Sequence, residues 1–255
     1  MRSKPKIIGK PTFAEKIIRF MWPIPTSPTP KSKDEESKLR LVPVEAFTKR
    51  IGEILYEMTR DSTHELGSYV EFGVYNGTSM KCMLSLLSQM KLDYVHVFGF
   101  DSFKGLPENV VSEDGGVFHP GQFSCPREIA LQNISDMESK PERASLIEGW
   151  YKDTLTRPPS EYGITRASIV LFDCDAYSSA RLALRFIYSV LDETCAMIFD
   201  DWKLNDLDIR EMGEFRAFNE FLSEHPDLSV KSLRGYSRKS KIFMLKKTAS
   251  VSHSG

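Results

Sequence analysis

The acidic residues of this chain fall in a pattern that could bind a cation. Asp173 and Asp175 flank Cys174, and Asp200 stands directly beside Asp201. Carboxylates brought together repel one another and are stable only where positive charge neutralises them. Oxygen donors without His or Cys beside them suit magnesium, manganese or calcium rather than zinc. The plainer alternative is that these aspartates cap helices beginning near Tyr177 and Asp206. Capping needs one aspartate per helix, and the sequence supplies two at each place.

Two further stretches carry chemistry. Glu71-Phe72-Gly73-Val74-Tyr75-Asn76-Gly77-Thr78-Ser79 places glycines where a chain can turn tightly and approach a ligand, ahead of a helix whose free N–H groups face an anion. Its Gly-x-x-x-Gly spacing is not the Gly-x-Gly-x-x-Gly of dinucleotide binders. A strand–helix turn with Ser79 near the helix start is the competing reading. Asp101, after Val97-Phe98-Gly99-Phe100, is an acidic residue at a strand tip, placed to accept both hydroxyls of a ribose; turn capping by Asp101-Ser102 is its alternative. His119 is a lone loop histidine and a reserve candidate for a base. His64, His96, His225 and His253 have no motif around them.

These residues need a scaffold, and the hydrophobic pattern supplies one. Apolar runs at 69–74, 94–100, 145–147, 168–172 and 196–199 predict strands, and the last two lack polar alternation, as strands covered on both faces do. Helical spacing at 44–58, 78–89, 127–137, 178–191 and 209–224 separates them. Residues 228–233 and 241–246, joined by Arg234-Gly235-Tyr236-Ser237, predict an antiparallel pair. The expected fold is a doubly wound, Rossmann-like α/β sheet, mostly parallel with a C-terminal antiparallel hairpin. In such sheets ligands bind beyond the carboxyl ends of the strands, where the glycine loop, Asp101, Gly149, Asp173 and Asp200-Asp201 all fall.

Composition narrows the setting. The 255 residues carry 34 Lys and Arg against 35 Asp and Glu, a net charge of −1, so nothing suggests a nucleic-acid partner. No apolar run is long enough for a transmembrane helix. Cys82, Cys125, Cys174 and Cys195 are scattered, which argues against a disulfide scaffold and favours a reducing, cytoplasmic setting. Residues 1–40 hold ten Lys and Arg against four Asp and Glu, with six of the 14 prolines. Residues 1–43 therefore read as a basic, Pro-rich arm, 44–247 as the principal domain, and 248–255 as a polar tail. A disordered leader, a membrane-surface helix around Phe13–Trp22, and a lid or homo-oligomer contact all remain open for the arm.

Taken together, the 71–79 loop, Asp101-Ser102-Phe103-Lys104-Gly105-Leu106-Pro107-Glu108, Gly121-Gln122-Phe123, Gly149-Trp150-Tyr151-Lys152-Asp153-Thr154-Leu155, Asp173-Cys174-Asp175-Ala176-Tyr177, Asp200-Asp201 and Arg216-Ala217-Phe218-Asn219-Glu220-Phe221 resemble the macrocin O-methyltransferase family. These are class I S-adenosylmethionine enzymes that methylate sugar hydroxyls. The resemblance runs from Val44 to Lys246. It implies S-adenosylmethionine and Mg2+ or Mn2+ as cofactors, and a glycan or small molecule with vicinal hydroxyls as acceptor. The implied donor-binding set is Glu71, Gly73, Tyr75, Gly77, Ser79, Asp101, Ser102, Gly149 and Trp150, and the implied metal set is Asp173, Asp200 and Asp201. Asp175 falls where the family's general base is placed, with His119 in reserve. Ala176 stands where catechol-type enzymes carry a lysine. The sequence departs from the family at Asp192-Glu193-Thr194-Cys195, where a Gly-Gly pair is usual, and over 110–126, which matches only loosely. Two alternatives are a nicotinamide-dependent oxidoreductase, which leaves the aspartates without a task, and a methyltransferase of catechol-like molecules. A third is a non-catalytic binding module that keeps the fold.

Overall fold

The computed structural model describes residues 42–60, 64–135 and 143–248. The expected arm up to Leu41, and the tail beyond Thr248, lie outside the described residues. Strands β1 (Ser68–Phe72), β2 (Val97–Asp101), β3 (Ala144–Glu148), β4 (Ala167–Phe172) and β5 (Leu191–Phe199) run parallel. β6 (Leu228–Arg234) and β7 (Lys241–Lys247) pair antiparallel, and β7 lies antiparallel to β5. The order across the sheet is β3-β2-β1-β4-β5-β7-β6, so the winding reverses between β1 and β4 and opens a crevice there.

Period-two alternation sends Tyr69 and Glu71 to one face of β1, and Val70 and Phe72 to the other. The first face is covered by α1 (Val44–Arg60), α2 (Thr78–Gln89) and α4 (Arg127–Ser135), through Phe47, Ile51, Met80, Met83 and Ile134. The second is covered by α6 (Tyr177–Tyr188) and α7 (Gly213–Glu224), through Leu184, Ile187, Phe218 and Phe221. Short helices α3 (Val110–Asp114) and α5 (Tyr151–Thr154) lie in the loops above the strand ends.

The expected elements are present, with shifted ends. β1 stops at Phe72, two residues early, because Gly73 turns the chain at φ 94°. The helix expected from residue 209 starts at Gly213, after positive φ at Asp206 and Glu211 and with Ile209 exposed to solvent. β5 begins at Leu191, before the apolar run that marked it, because Thr194 and Cys195 pair with Lys246 and Leu245 of β7.

One row of side chains fixes the height of the strand ends. Phe100, Phe72, Phe172 and Phe199 are register partners across β2, β1, β4 and β5. Their rings stack at centroid separations of 5.5, 5.5 and 4.7 Å, and all four are fully buried. Burying each ring contributes about 2–3 kcal/mol. Each is followed at once by a rim residue: Asp101, Gly73, Asp173 and Asp200.

Candidate active site

Above this row lies a cavity of about 700 Å³ lined by the glycine loop, Asp101, Trp150, Asp173, Asp175 and Asp201. At its floor Gly73 donates its N–H to the Phe100 carbonyl at 2.9 Å. A Cβ on Gly73 would stand 1.8 Å from the Asp173 carbonyl oxygen, so only glycine lets the β1 and β4 loops pass this close. Gly77 turns the chain at φ 81° with its N–H on the Val74 carbonyl, 2.8 Å away. It shapes the loop without itself reaching the cavity, whereas Tyr75 and Ser79 form part of the wall.

Glu71 lies beneath that wall. Its carboxyl is fully buried and accepts hydrogen bonds from the Tyr69 hydroxyl and from Ser79 Oγ, the latter at 2.6 Å. Burial pushes its pKa up to about 8 against the opposing effect of those two bonds. Of the expected donor-binding residues it is one that does not line the cavity; it fixes Ser79, which does.

Asp101 ties two loops together. One oxygen accepts the N–H groups of Val74 and Tyr75 at 2.7 and 2.8 Å, and the other accepts that of Phe103 at 2.7 Å. Burial raises its pKa although these bonds favour the carboxylate. The Ser102 N–H is a further backbone donor to this carboxylate, which still lines the cavity. Ser102 accepts the Lys104 N–H at 3.1 Å and also reaches the wall. Gly149 bonds the Asp101 carbonyl at 2.9 Å, which sets Trp150 against the cavity.

The aspartates do not cap helices. Ala176 precedes α6 and Met212 precedes α7, neither with a side-chain cap bond. Instead Asp173, Asp175 and Asp201 each present a carboxylate oxygen within 4.8 Å of the others. Asp200, expected in that trio, is turned aside. It accepts from the Tyr236 hydroxyl through one oxygen and from Lys239 Nζ at 2.5 Å through the other. Lys239 also reaches Asp201 at 2.7 Å. Burial, followed by the charges of Asp200 and Asp201, drives the Asp173 pKa upward; burial and Asp201 do the same for Asp175. Burial opposes the Lys239 ammonium, yet Asp201, Asp200 and Asp173 outweigh it and raise the lysine's pKa.

Several participants carry no motif. Glu214 of α7, fully buried, accepts the Asp201 N–H at 3.2 Å through one oxygen, while the other has no partner among the described residues. Asp114 accepts the N–H groups of Gly116, Val117 and Phe118, folding 115–123 over the cavity so that Phe118 and Phe123 roof it. Asp114 before two glycines was the available signal for this turn; nothing near Glu214 or Lys239 marks them. His119, the reserve candidate for a base, lies apart from these residues. It sits on the exposed outside of that loop and forms no part of the cavity wall.

A hard divalent ion fits the donor set: among the described residues the converging group is three carboxylates without thiol or imidazole, with one buried orphan oxygen of Glu214 nearby, although Cys174 also lines the cavity. The glycine loop at the crevice fits the carboxylate end of an adenosyl donor, with Asp101 beyond it.

Sheet order, reversal point and rim loops define the architecture of the class I methyltransferases, and the solved O-methyltransferase NovP superposes with a TM-score of 0.63 at 19% identity over 80% of each chain. The chain belongs to the macrocin O-methyltransferase (TylF) family, whose model matches residues 49–229. It is 28% identical over 145 residues to the 8-demethyl-8-(2,3-dimethoxy-alpha-L-rhamnosyl)-tetracenomycin-C 4'-O-methyltransferase of Streptomyces olivaceus, covering 54% of each protein. With the demethyldecarbamoylnovobiocin O-methyltransferase of Streptomyces niveus it shares 26% over 166 residues, covering 59% of this chain and 58% of that one. The chain thus matches little more than half the length of these curated relatives. All four cysteines are free and buried, and among the described residues no helix is long and apolar enough to cross a membrane.

Proposed function

We propose that this chain transfers a methyl group from S-adenosylmethionine to a hydroxyl of a sugar or glycan, assisted by a divalent ion. The observation that carries this reading is one cavity that joins the glycine loop to three converging carboxylates. The names of its relatives, one of them acting on a rhamnosyl compound, support the acceptor class.

The donor supplies an electrophilic methyl, and the reaction is an in-line displacement whose rate depends on alignment. Gly73, Ser79 and Asp101 would hold the donor's two ends apart, and Trp150 would border its adenine. Phe118 and Phe123, as the roof, would exclude water. Asp173 and Asp201 would hold the ion, with Asp200 fixed behind them. Magnesium bound there would lower the pKa of a chelated hydroxyl and fix its direction. Asp175, from its position in the same cluster, would take the hydroxyl proton, a role worth about 10²–10⁴ in rate.

The test is Asp173→Asn, assayed with labelled donor and a panel of sugar diols while S-adenosylhomocysteine binding is followed by calorimetry. Transfer should disappear with donor binding retained, and EDTA should silence the parent protein. Full transfer in the variant or in EDTA refutes the metal-assisted reading, and binding of NAD in place of S-adenosylhomocysteine refutes methyl transfer altogether.

A further inference from the structure

The carboxylate cluster already contains a cation. Asp173, Asp175, Asp200, Asp201 and Glu214 gather at the ends of β4 and β5, and one ammonium, that of Lys239, bonds to two of them. Its backbone is fixed. The Lys239 carbonyl accepts the Lys203 N–H at 2.8 Å, and Ser237 and Ser240 bond reciprocally across the turn that carries it. Its four-carbon stem, with the side chain 18% exposed, carries the ammonium to the two aspartates. An ammonium is a compact point charge on a flexible stem, so it can release one carboxylate while keeping another. Beside it, one oxygen of the buried Glu214 has no partner among the described residues.

We propose that Lys239 is the resident countercharge of this cluster: it holds Asp200 and Asp201 together while the site has no divalent ion, and gives up Asp201 when one binds. The inference rests on the metal-assisted reading above. Asp201 belongs both to the converging trio and to the lysine pair, so an incoming ion and the ammonium compete for one carboxylate and repel each other across it. Asp200, held from its other side by Tyr236, is where the lysine stays. Lys239 is thus a positioning residue that sets ion affinity and keeps the empty site folded. Its side chain borders the same cavity.

The experiment is calorimetric titration of donor-free protein with Mg2+, and separately Mn2+, for the parent, Lys239→Met and Lys239→Arg, together with melting curves in EDTA and in Mg2+. Lys239→Met should bind Mg2+ at least about tenfold more tightly, equivalent to about 1.4 kcal/mol, and its melting point should rise with Mg2+ far more than the parent's. Lys239→Arg, which keeps the charge, should stay near the parent. Should Lys239→Met fail to fold, the parent serves: its salt-bridged lysine ammonium resonance should shift as Mg2+ is added. Equal or weaker binding in Lys239→Met, or an ammonium signal unmoved by bound ion, overturns the proposal and leaves the metal-assisted reading intact. Absence of ion binding in parent and variants overturns both.

Discussion

Replacing Glu71 by Gln should flatten the pH dependence of stability. In the folded protein the buried carboxyl has a pKa of about 8, against an ordinary value of 4.5. Between those limits the folded chain keeps a proton that the unfolded chain has released. Stability from this group is therefore complete below pH 4.5 and is lost as pH rises towards 8. Each pH unit in that window costs about 1.4 kcal/mol, so from pH 5.5 to 7.5 Glu71 alone should remove about 3 kcal/mol. For a domain of this size that corresponds to roughly 5–10 °C in melting temperature. Glu71→Gln does not titrate. Its amide nitrogen, facing Tyr69 and Ser79, adds an offset that does not vary with pH. The measurement is urea unfolding followed by circular dichroism at pH 5.5, 6.5 and 7.5, without donor or metal. Asp173, Asp175, Asp200 and Glu214, also raised by burial, add to the slope of both proteins. The difference between the two curves isolates Glu71. Parallel curves would refute the claim that burial keeps this carboxyl neutral.

Other substitutions test the rim and its support. Gly73→Ala should cost more than about 3 kcal/mol of stability and weaken S-adenosylhomocysteine at least about tenfold, because the new methyl meets the Asp173 carbonyl in a backbone conformation that disfavours side chains; urea melts and calorimetry read both effects. Phe199→Ala should lose about 3–5 kcal/mol in the same melts, and Phe199→Leu distinctly less, since the ring lies against Phe172 and contacts Trp202, Phe218 and Phe243.

Sequence and structure agree best where local pattern decides. The uninterrupted apolar runs before Asp173 and Asp200 located β4 and β5, and the turn before Lys241 located the hairpin. Four rim positions were legible because strand ends in an open sheet share one edge. Boundaries failed where a single backbone angle ends an element, as at Gly73 and Glu211. The carboxylate geometry failed for a different reason. Which aspartates converge depends on Tyr236 and Lys239, brought from the far hairpin by pairing of β7 with β5, and no spacing rule near residue 200 reports that. Asp175 joins the trio because its φ of 61° bends the chain back towards Asp201, which sequence alone does not specify. His119 looked eligible by chemistry, and loop direction placed it outside.

The row of four phenylalanines separates what this protein stands on from what it reacts with. Each ring is inert, and each is followed at once by a residue of the rim, an aspartate in three cases and Gly73 in the fourth. The roof over the cavity comes from a different stretch, held by Asp114 and by backbone bonds between Leu106, Gly121 and Gln122. On the proposed reading, altering that roof would change which acceptor enters while leaving the stacked slab and the rim above it untouched. Divergent substrates on one unchanged chassis are the expected evolutionary outcome.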